Sequence, residues 1–188
     1  MKRSDIPNLI TGLRILLVPP IAYLIYRGAF DIALLLFLGA GISDALDGFL
    51  AKHYGWSSRL GGLLDPLADK ALLMSSYVVL AWAGLVPVWL VVTVILRDLI
   101  ILAGAITYHF RIEPLNATPT VISKLNTVSQ ILLVVAVIFS EGFRALPSEW
   151  LEFLVYMVLA TTLLSGADYV WTWGWKAWNK KRGSGRFP

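Results

Sequence analysis

Residues 43–70 read SDALDGFLAKHYGWSSRLGGLLDPLADK and form a polar stretch inside an otherwise apolar chain. Two pairs of aspartates stand in it, Asp44 with Asp47 and Asp65 with Asp69. Residues three or four apart share one face of a helix, so each pair lies on one face if both flanks are helical. The spacing therefore predicts two helices that each present a pair of carboxylates.

An eight-residue link, His53–Leu60, separates the two flanks and is rich in glycine, serine and aromatic residues. A link of this kind lets the helices run antiparallel and turn their acidic faces together. Hard cations such as Mg²⁺ and Mn²⁺ prefer oxygen ligands, so the four carboxylates predict a site for one or two divalent cations. The small residues beside them, Gly48, Ala51 and Gly61, would let a phosphate-bearing ligand reach the helix backbone.

Composition indicates a membrane protein of one domain, residues 1–188. The chain is 57% hydrophobic and 15% charged, and its mean hydropathy is +0.71, which is outside the usual range of soluble domains. No charged residue occurs between Lys70 and Arg97, a run long enough for one membrane crossing of about 20 residues. The absence of cysteine excludes disulfides and thiolate metal sites.

Six apolar segments predict an all-α integral membrane protein with six transmembrane helices. They run over Ile6–Tyr26, Phe30–Lys52, Gly62–Gly84, Pro87–Phe110, Val121–Ser140 and Trp150–Trp173. The first segment follows the N-terminus almost at once, and we expect it to be retained as a span. Charged residues interrupt the second and fourth segments, so the bundle must have a polar interior face, because lipid-facing charge is costly.

The basic residues predict the orientation, since lysine and arginine concentrate in cytoplasmic segments. Only Arg27 and Arg144 fall in links on the opposite side. The other side carries Lys2, Arg3, Lys52, Arg59, Arg111, Lys124, Lys176, Lys180, Lys181, Arg182 and Arg186. Both termini and the link His53–Leu60 are therefore predicted to be cytoplasmic. The net charge of +4 fits contact with anionic lipid, and no nucleic-acid partner is expected.

Written out, the polar stretch is Asp44-x-x-Asp47-Gly48-x-x-Ala51-Lys52, eight residues, then Gly61-x-x-x-Asp65-x-x-x-Asp69. This pattern resembles the signature of the CDP-alcohol phosphatidyltransferases, which has the same four aspartates, two glycines and alanine at this spacing. The family's residue after the alanine is usually arginine. Lys52 keeps the positive charge but lacks the bidentate fork of a guanidinium.

The resemblance implies a CDP-diacylglycerol donor whose pyrophosphate bridges two metals, with CMP as the leaving group. It assigns Asp44, Asp47, Asp65 and Asp69 to the metal site and makes Asp69 the general base. It places Gly48, Ala51, Lys52 and Gly61 at the donor, and we add Asn8 and Arg14 of the first segment as donor-binding candidates. It also implies a homodimer in a lipid bilayer, with the cytoplasmic (inner) membrane of a prokaryote as the expected location.

Two parts of the chain resemble different subgroups that differ in the acceptor alcohol. Residues 6–20 and 63–70 resemble bacterial phosphatidylglycerophosphate synthases, whereas residues 97–98 and 119–130 resemble eukaryote-type cardiolipin synthases. We therefore favour phosphatidylglycerol as acceptor, with glycerol-3-phosphate as the alternative. Ionisable residues within membrane segments are functional candidates by default, so Arg97 and Lys124 are predicted to bind the acceptor.

Other interpretations of these residues stay open. Asp65 before Pro66 could cap a helix, and the third span could begin or kink there. Arg97 could pair with Asp98 and serve the fold alone. A cation-coupled transporter is a remote alternative, but it predicts carboxylates spread over several spans near the midplane.

Overall fold

The computed structural model describes residues 5–54, 61–111 and 120–183, and their side chains over 9–46, 65–104 and 120–172. The described residues form six α-helices and contain no strand, as predicted. The helices are α1 (Asp5–Tyr26), α2 (Phe30–Tyr54), α3 (Gly61–Trp82), α4 (Val88–Arg111), α5 (Val121–Gly142) and α6 (Ser148–Gly183). Every predicted boundary except the last agrees with the structure to within one or two residues.

The C-terminal end of α6 is the exception, and the prediction there is wrong. The apolar segment ends at Trp173, but the helix continues to Gly183. The apolar pattern of a sequence indicates only where a helix leaves its apolar environment, and not where the helix itself ends. Lysine, arginine and alanine are good helix formers, so a helix continues readily through such residues beyond that point.

The start of α3 also corrects an interpretation of the metal motif. Because α3 begins at Gly61, Asp65 lies inside the helix and does not cap it, and the helix is assigned without a break through Pro66. A proline in the helix interior removes one backbone hydrogen bond. The first helix likewise continues through Pro19 and Pro20, and membrane helices tolerate such residues when neighbouring groups satisfy the freed carbonyls.

Two glycines in the left-handed region end α1 and α3. Gly28 has φ of 75° and Gly84 has φ of 74°, a conformation that costs a residue with a Cβ atom. The residue after each glycine donates its amide five residues back, from Ala29 to Leu24 at 2.9 Å and from Leu85 to Leu80 at 3.0 Å. This Schellman arrangement satisfies carbonyls that the helix end leaves open.

The chain divides into two compact units, residues 1–88 with 134–151 and residues 89–133 with 152–188. In the first unit α1 packs against both α2 and α3. Its buried apolar side chains recur at helical spacing. They include Ala33, Leu34, Phe37 and Ala40 of α2, Leu72, Leu73, Tyr77 and Leu80 of α3, and Val134, Val137 and Ile138 of α5.

The buried face of α1 changes from polar to apolar along its length. Thr11 and Arg14 are buried near one end, and Ile21 and Ile25 are buried towards the other. Residues at these spacings share one face of a helix. The face of α1 that contributes Ile21 and Ile25 to the apolar core of the first unit thus also carries two buried polar side chains, Thr11 and Arg14.

Three helices are long and apolar enough to cross a membrane, judged by length and composition over the described residues: Leu9–Tyr26, Val121–Gly142 and Ser148–Thr172. Many large apolar side chains are exposed, for example Leu16 at 72% and Trp82 at 81%. Side chains of this kind suit a lipid environment and would be a liability in water. The chain is therefore a membrane protein with apolar helices, while the crossing by all six helices and the cytoplasmic termini stay predictions.

A close backbone approach joins α5 to α2 in the first unit. A Cβ atom at Gly142 would lie 2.8 Å from the amide nitrogen of Asp31 and 2.9 Å from the carbonyl carbon of Phe30. Both atoms belong to the backbone and cannot turn away as a flexible side chain would. Only glycine fits this position without a shift of one helix.

Gly142→Ala should therefore destabilise the protein by about 1–3 kcal/mol, the usual cost of overpacking. The measurement is the thermal unfolding midpoint of the purified protein in detergent. Gly39→Ala is the matched control, because a Cβ atom at Gly39 meets nothing within 4 Å and alanine favours a helix over glycine. An unchanged midpoint for Gly142→Ala would contradict the close approach.

Candidate functional site

Arg14 of α1 joins carboxylates from two other helices. One of its guanidinium nitrogens, Nη1, lies 2.9 Å from Oδ1 of Asp44 in α2 and 2.8 Å from Oδ1 of Asp69 in α3. The two carboxylate oxygens are thus no farther apart than two hydrogen-bond lengths. The prediction that the acidic faces of the two flanks come together is confirmed for this pair.

Thr11 makes a parallel contact one turn earlier in α1. Its hydroxyl donates a short hydrogen bond to Oδ1 of Asp65 in α3. Since Asp65 and Asp69 are four residues apart, they share one face of α3, and Thr11 and Arg14 share one face of α1. Two polar residues of α1 therefore contact three of the four motif aspartates.

The aspartates are open on the side away from α1. The side chains of Asp44 and Asp69 are 39% and 49% exposed, whereas that of Arg14 is fully buried. The five side chains in these contacts, Thr11, Arg14, Asp44, Asp65 and Asp69, carry one positive and three negative formal charges. Partly exposed oxygen donors with an excess of negative charge suit a divalent cation such as Mg²⁺ or Mn²⁺.

Metal binding itself stays a prediction. No group of three or more histidine, aspartate or glutamate side chains that could hold a metal ion occurs within the described residues. The fourth aspartate of the motif, Asp47, lies in α2, but its side chain is outside the described set. Asp44, Asp65 and Asp69 supply carboxylate oxygens of the kind that Mg²⁺ and Mn²⁺ prefer, and the complete ligand set stays a prediction.

Several predicted donor-binding residues lie in helices whose side chains there are not described. Asn8 falls in α1, Gly61 in α3, and Gly48, Ala51 and Lys52 in α2. Their predicted contacts with a donor stay predictions. The link His53–Leu60 is described only at its first two residues.

The second unit contains a polar cluster around Arg97 of α4. Its guanidinium donates to Asp98 Oδ1 at 2.8 Å, to Ser123 Oγ of α5 at 3.1 Å, and through a short hydrogen bond to Ser165 Oγ of α6. The ring of Tyr169 lies 5.9 Å from the guanidinium carbon, within range of a cation–π interaction. Arg97 thus pairs with Asp98, as one of the two interpretations of the sequence allowed, and its predicted role at an acceptor stays a prediction. The cluster joins three helices.

A second polar contact joins α5 to α6. The buried Asn126 accepts a hydrogen bond from the Thr162 hydroxyl at 2.9 Å. At the start of α5, Thr120 caps the helix by accepting the amide of Ser123 at 3.2 Å, a typical N-cap contact. Lys124 follows Ser123 and is exposed, so its amine is accessible, and its role at an acceptor stays a prediction.

Sequence reasoning missed Thr11, Ser123 and Ser165. Each is a small hydroxyl residue within an apolar helix, a type that often bonds only to its own backbone. Ser76, for example, donates to the carbonyl of Leu72 at 2.8 Å. The available signal for Thr11 was its position three residues before Arg14, on the same helix face.

Comparison with known proteins supports the family resemblance of the aspartate motif. Residues 4–167 match the family described as CDP-alcohol phosphatidyltransferase. Relatives named cardiolipin synthase (CMP-forming) are 37% identical in Rattus norvegicus and 38% identical in Homo sapiens, each over 180 residues. A chloroplastic CDP-diacylglycerol–glycerol-3-phosphate 3-phosphatidyltransferase of Oryza sativa subsp. japonica is 32% identical over 187 residues.

The matches cover most of this chain but only part of each relative. They include 87% of this chain and 60% of the rat and human proteins, and 88% of this chain and 56% of the rice protein. The chain thus spans about three fifths of the length of the curated relatives it matches. Since these relatives are eukaryotic, they give no support to the predicted prokaryotic inner membrane.

The Arg97 cluster leads to a prediction about stability. The side chains of Arg97 and Asp98 are each 9% exposed, so Arg97→Leu leaves the Asp98 carboxylate buried without its cation. Breaking a buried pair costs about 3–5 kcal/mol, whereas replacing both partners by apolar residues is often neutral. Arg97→Leu should therefore lower the thermal unfolding midpoint, and the double variant R97L/D98L should recover most of the loss.

Arg144→Leu provides the control for this comparison, because Arg144 is an exposed arginine outside the helices. Its midpoint should stay close to that of the parent protein. If Arg97→Leu were as stable as the parent, or the double variant no more stable than the single one, the buried pair would not have the role assigned to it.

Proposed function

Because the chain belongs to the CDP-alcohol phosphatidyltransferase family, we propose that it transfers a phosphatidyl group from CDP-diacylglycerol to a glycerol-type acceptor and releases CMP. The observation that carries this proposal is that two buried side chains of α1 contact three motif aspartates, Arg14 contacting Asp44 and Asp69 and Thr11 contacting Asp65. Three carboxylates that are open on one side suit a charged, phosphate-bearing donor bound through cations. The transporter alternative lacks this support, because the carboxylates cluster in one motif.

Asp44, Asp47, Asp65 and Asp69 would hold the divalent cations, Mg²⁺ or Mn²⁺. When bound, such cations neutralise charge that develops on the pyrophosphate and on the leaving CMP oxygen. Asn8, Gly48, Ala51, Lys52 and Gly61 are expected to line the donor. Lys52 would add one positive charge near a donor phosphate.

Asp69 is the proposed general base. Its side chain is about half exposed, so an acceptor hydroxyl can approach it. In the proposed step Asp69 takes the hydroxyl proton while the hydroxyl oxygen bonds to the phosphorus that bears the diacylglycerol. The bond from that phosphorus to the bridging oxygen breaks, and CMP leaves with the electron pair.

Phosphatidylglycerol is the favoured acceptor, which would make cardiolipin the product. The rat and human relatives carry the name cardiolipin synthase, whereas the rice relative is named for glycerol-3-phosphate, which keeps that acceptor as the alternative. Arg97 is already engaged by Asp98, so little positive charge remains for a small dianion. Lys124 would contribute to either acceptor.

The active site is proposed to face the cytoplasm, with six membrane-crossing helices and both termini on that side. This arrangement follows from the distribution of basic residues along the sequence. A homodimer is proposed from the family resemblance. Two protomers would each contain a complete set of the four aspartates.

The acceptor is tested with purified protein, CDP-diacylglycerol and one acceptor at a time, by measuring CMP release. We expect faster release with phosphatidylglycerol than with glycerol-3-phosphate, and cardiolipin among the products. Lys124→Ala should slow acceptor use by about 10- to 150-fold if the amine makes one charge-assisted contact. A product with a terminal phosphate monoester, and no cardiolipin, would show that the acceptor is glycerol-3-phosphate.

The metal and the base are tested by removal. CMP release should stop in excess EDTA and return with Mg²⁺ or Mn²⁺. Asp44→Asn and Asp65→Asn should abolish release in a folded protein, and Asp69→Asn should abolish it while CDP-diacylglycerol still binds. Glu152→Gln is the control, because Glu152 is an exposed carboxylate of α6 outside the motif. Full activity in EDTA would overturn the metal assignment, and an active Asp69→Asn would move the base elsewhere.

A further inference from the structure

The motif aspartates have a buried inner layer, formed by Thr11 and Arg14 of α1. Both side chains are buried, Thr11 at 0% and Arg14 at 1%, and both contact the carboxylates. Neither belongs to the aspartate motif itself. Their contacts reach three of the four carboxylates of the motif.

The contact of Thr11 differs from the local contacts that three other hydroxyls of the described residues make. Ser76, Thr93 and Ser129 donate to carbonyls four residues earlier in their own helices, which serves only the local backbone. The Thr11 hydroxyl instead donates to a carboxylate on another helix. A hydrogen bond to a charged acceptor is stronger than one between two neutral groups.

Arg14 forms ion pairs with Asp44 and Asp69 at the same time. One nitrogen contacts both carboxylates, so it offsets the repulsion that two adjacent negative charges would otherwise have. The fully buried guanidinium has no exposed surface with which to meet a ligand. Its contact with the site runs through the aspartates.

Thr11 is neutral and Arg14 is positively charged, and this difference has a physical reason. A second cation in place of Thr11 would cancel another negative charge and weaken the attraction for a divalent cation. A hydroxyl fixes the orientation of Asp65 and leaves the net charge of the cluster unchanged. The inner layer thus combines one charged contact with one neutral contact.

We propose that Thr11 and Arg14 are positioning residues, which hold Asp65, Asp44 and Asp69 from the buried side so that their exposed oxygens bind a divalent cation. This inference rests on the proposed function, in which these aspartates hold the metals. Residues that orient metal-binding side chains typically affect metal affinity by about 10–100-fold. Arg14, predicted from the sequence as a donor-binding candidate, would therefore act through the aspartates, because its side chain is fully buried.

The test measures Mn²⁺ binding without turnover. Purified protein in detergent is titrated with MnCl₂ in the presence of CDP-diacylglycerol and without acceptor, and free Mn²⁺ is followed by electron paramagnetic resonance. Thr11→Val keeps the shape of the side chain and removes the hydroxyl, and it should weaken Mn²⁺ binding by about 10–100-fold. Thr11→Ser keeps the hydroxyl and should bind Mn²⁺ nearly as the parent does.

Ser76→Ala is the matched control. It removes another fully buried hydroxyl of the same unit, one that donates to the backbone carbonyl of Leu72 in its own helix. Its Mn²⁺ affinity should equal that of the parent, so a loss confined to Thr11→Val cannot come from the removal of a buried hydroxyl in general. If Thr11→Val does not fold, Arg14→Lys takes its place, since it keeps the charge but not the guanidinium, and it should also weaken Mn²⁺ binding.

Parent-like Mn²⁺ binding in the folded Thr11→Val protein, or in Arg14→Lys where that variant replaces it, would overturn the inference. So would a parent protein that binds no Mn²⁺. Failure of the proposed function is separate, because it appears as absent CMP release from the parent protein with every acceptor. In that case the difference in Mn²⁺ affinity between Thr11→Val and Thr11→Ser still decides whether the inner layer positions the aspartates.

Discussion

The burial of the Arg14 guanidinium is the interaction on which the first unit depends. An ion taken out of water loses several kcal/mol of solvation, and only close opposite charges with good geometry compensate for that loss. Arg14 finds them on two different helices, at 2.9 Å from Asp44 and 2.8 Å from Asp69. The same contacts therefore join α1 to α2 and α3 and assemble the site.

The two buried arginines differ in the charge that surrounds them. Arg97 pairs with one carboxylate, Asp98, which is as buried as itself. It also donates to neutral hydroxyls of α5 and α6 and lies over the ring of Tyr169. That pair is neutral and closed, which suits a contact between helices. The cluster around Arg14 keeps an excess of negative charge and is open on one side, which suits a cation.

Polar and apolar surfaces are arranged as a membrane environment requires. Large apolar side chains such as Leu16 and Leu35 are exposed, while Thr11, Asn126 and Thr162 are buried. Lipid offers no hydrogen bonds, so polar groups of a membrane protein must find partners within the bundle. The contact between Asn126 and Thr162 and the contact between Thr11 and Asp65 are examples.

The sequence by itself determined the helices and the aspartate motif, because both are encoded in local periodicity and spacing. It predicted helix boundaries well, except where α6 continues past its apolar part to Gly183, and it left open whether Asp65 begins a helix. Only the tertiary structure decided the partners of Thr11 and Arg14, for example Asp65, which lies 54 residues from Thr11, and Asp69, which lies 55 residues from Arg14 along the chain. Such contacts depend on how far each helix is rotated about its axis when it packs. Periodicity identifies the face of a residue but not the side chain that this face meets.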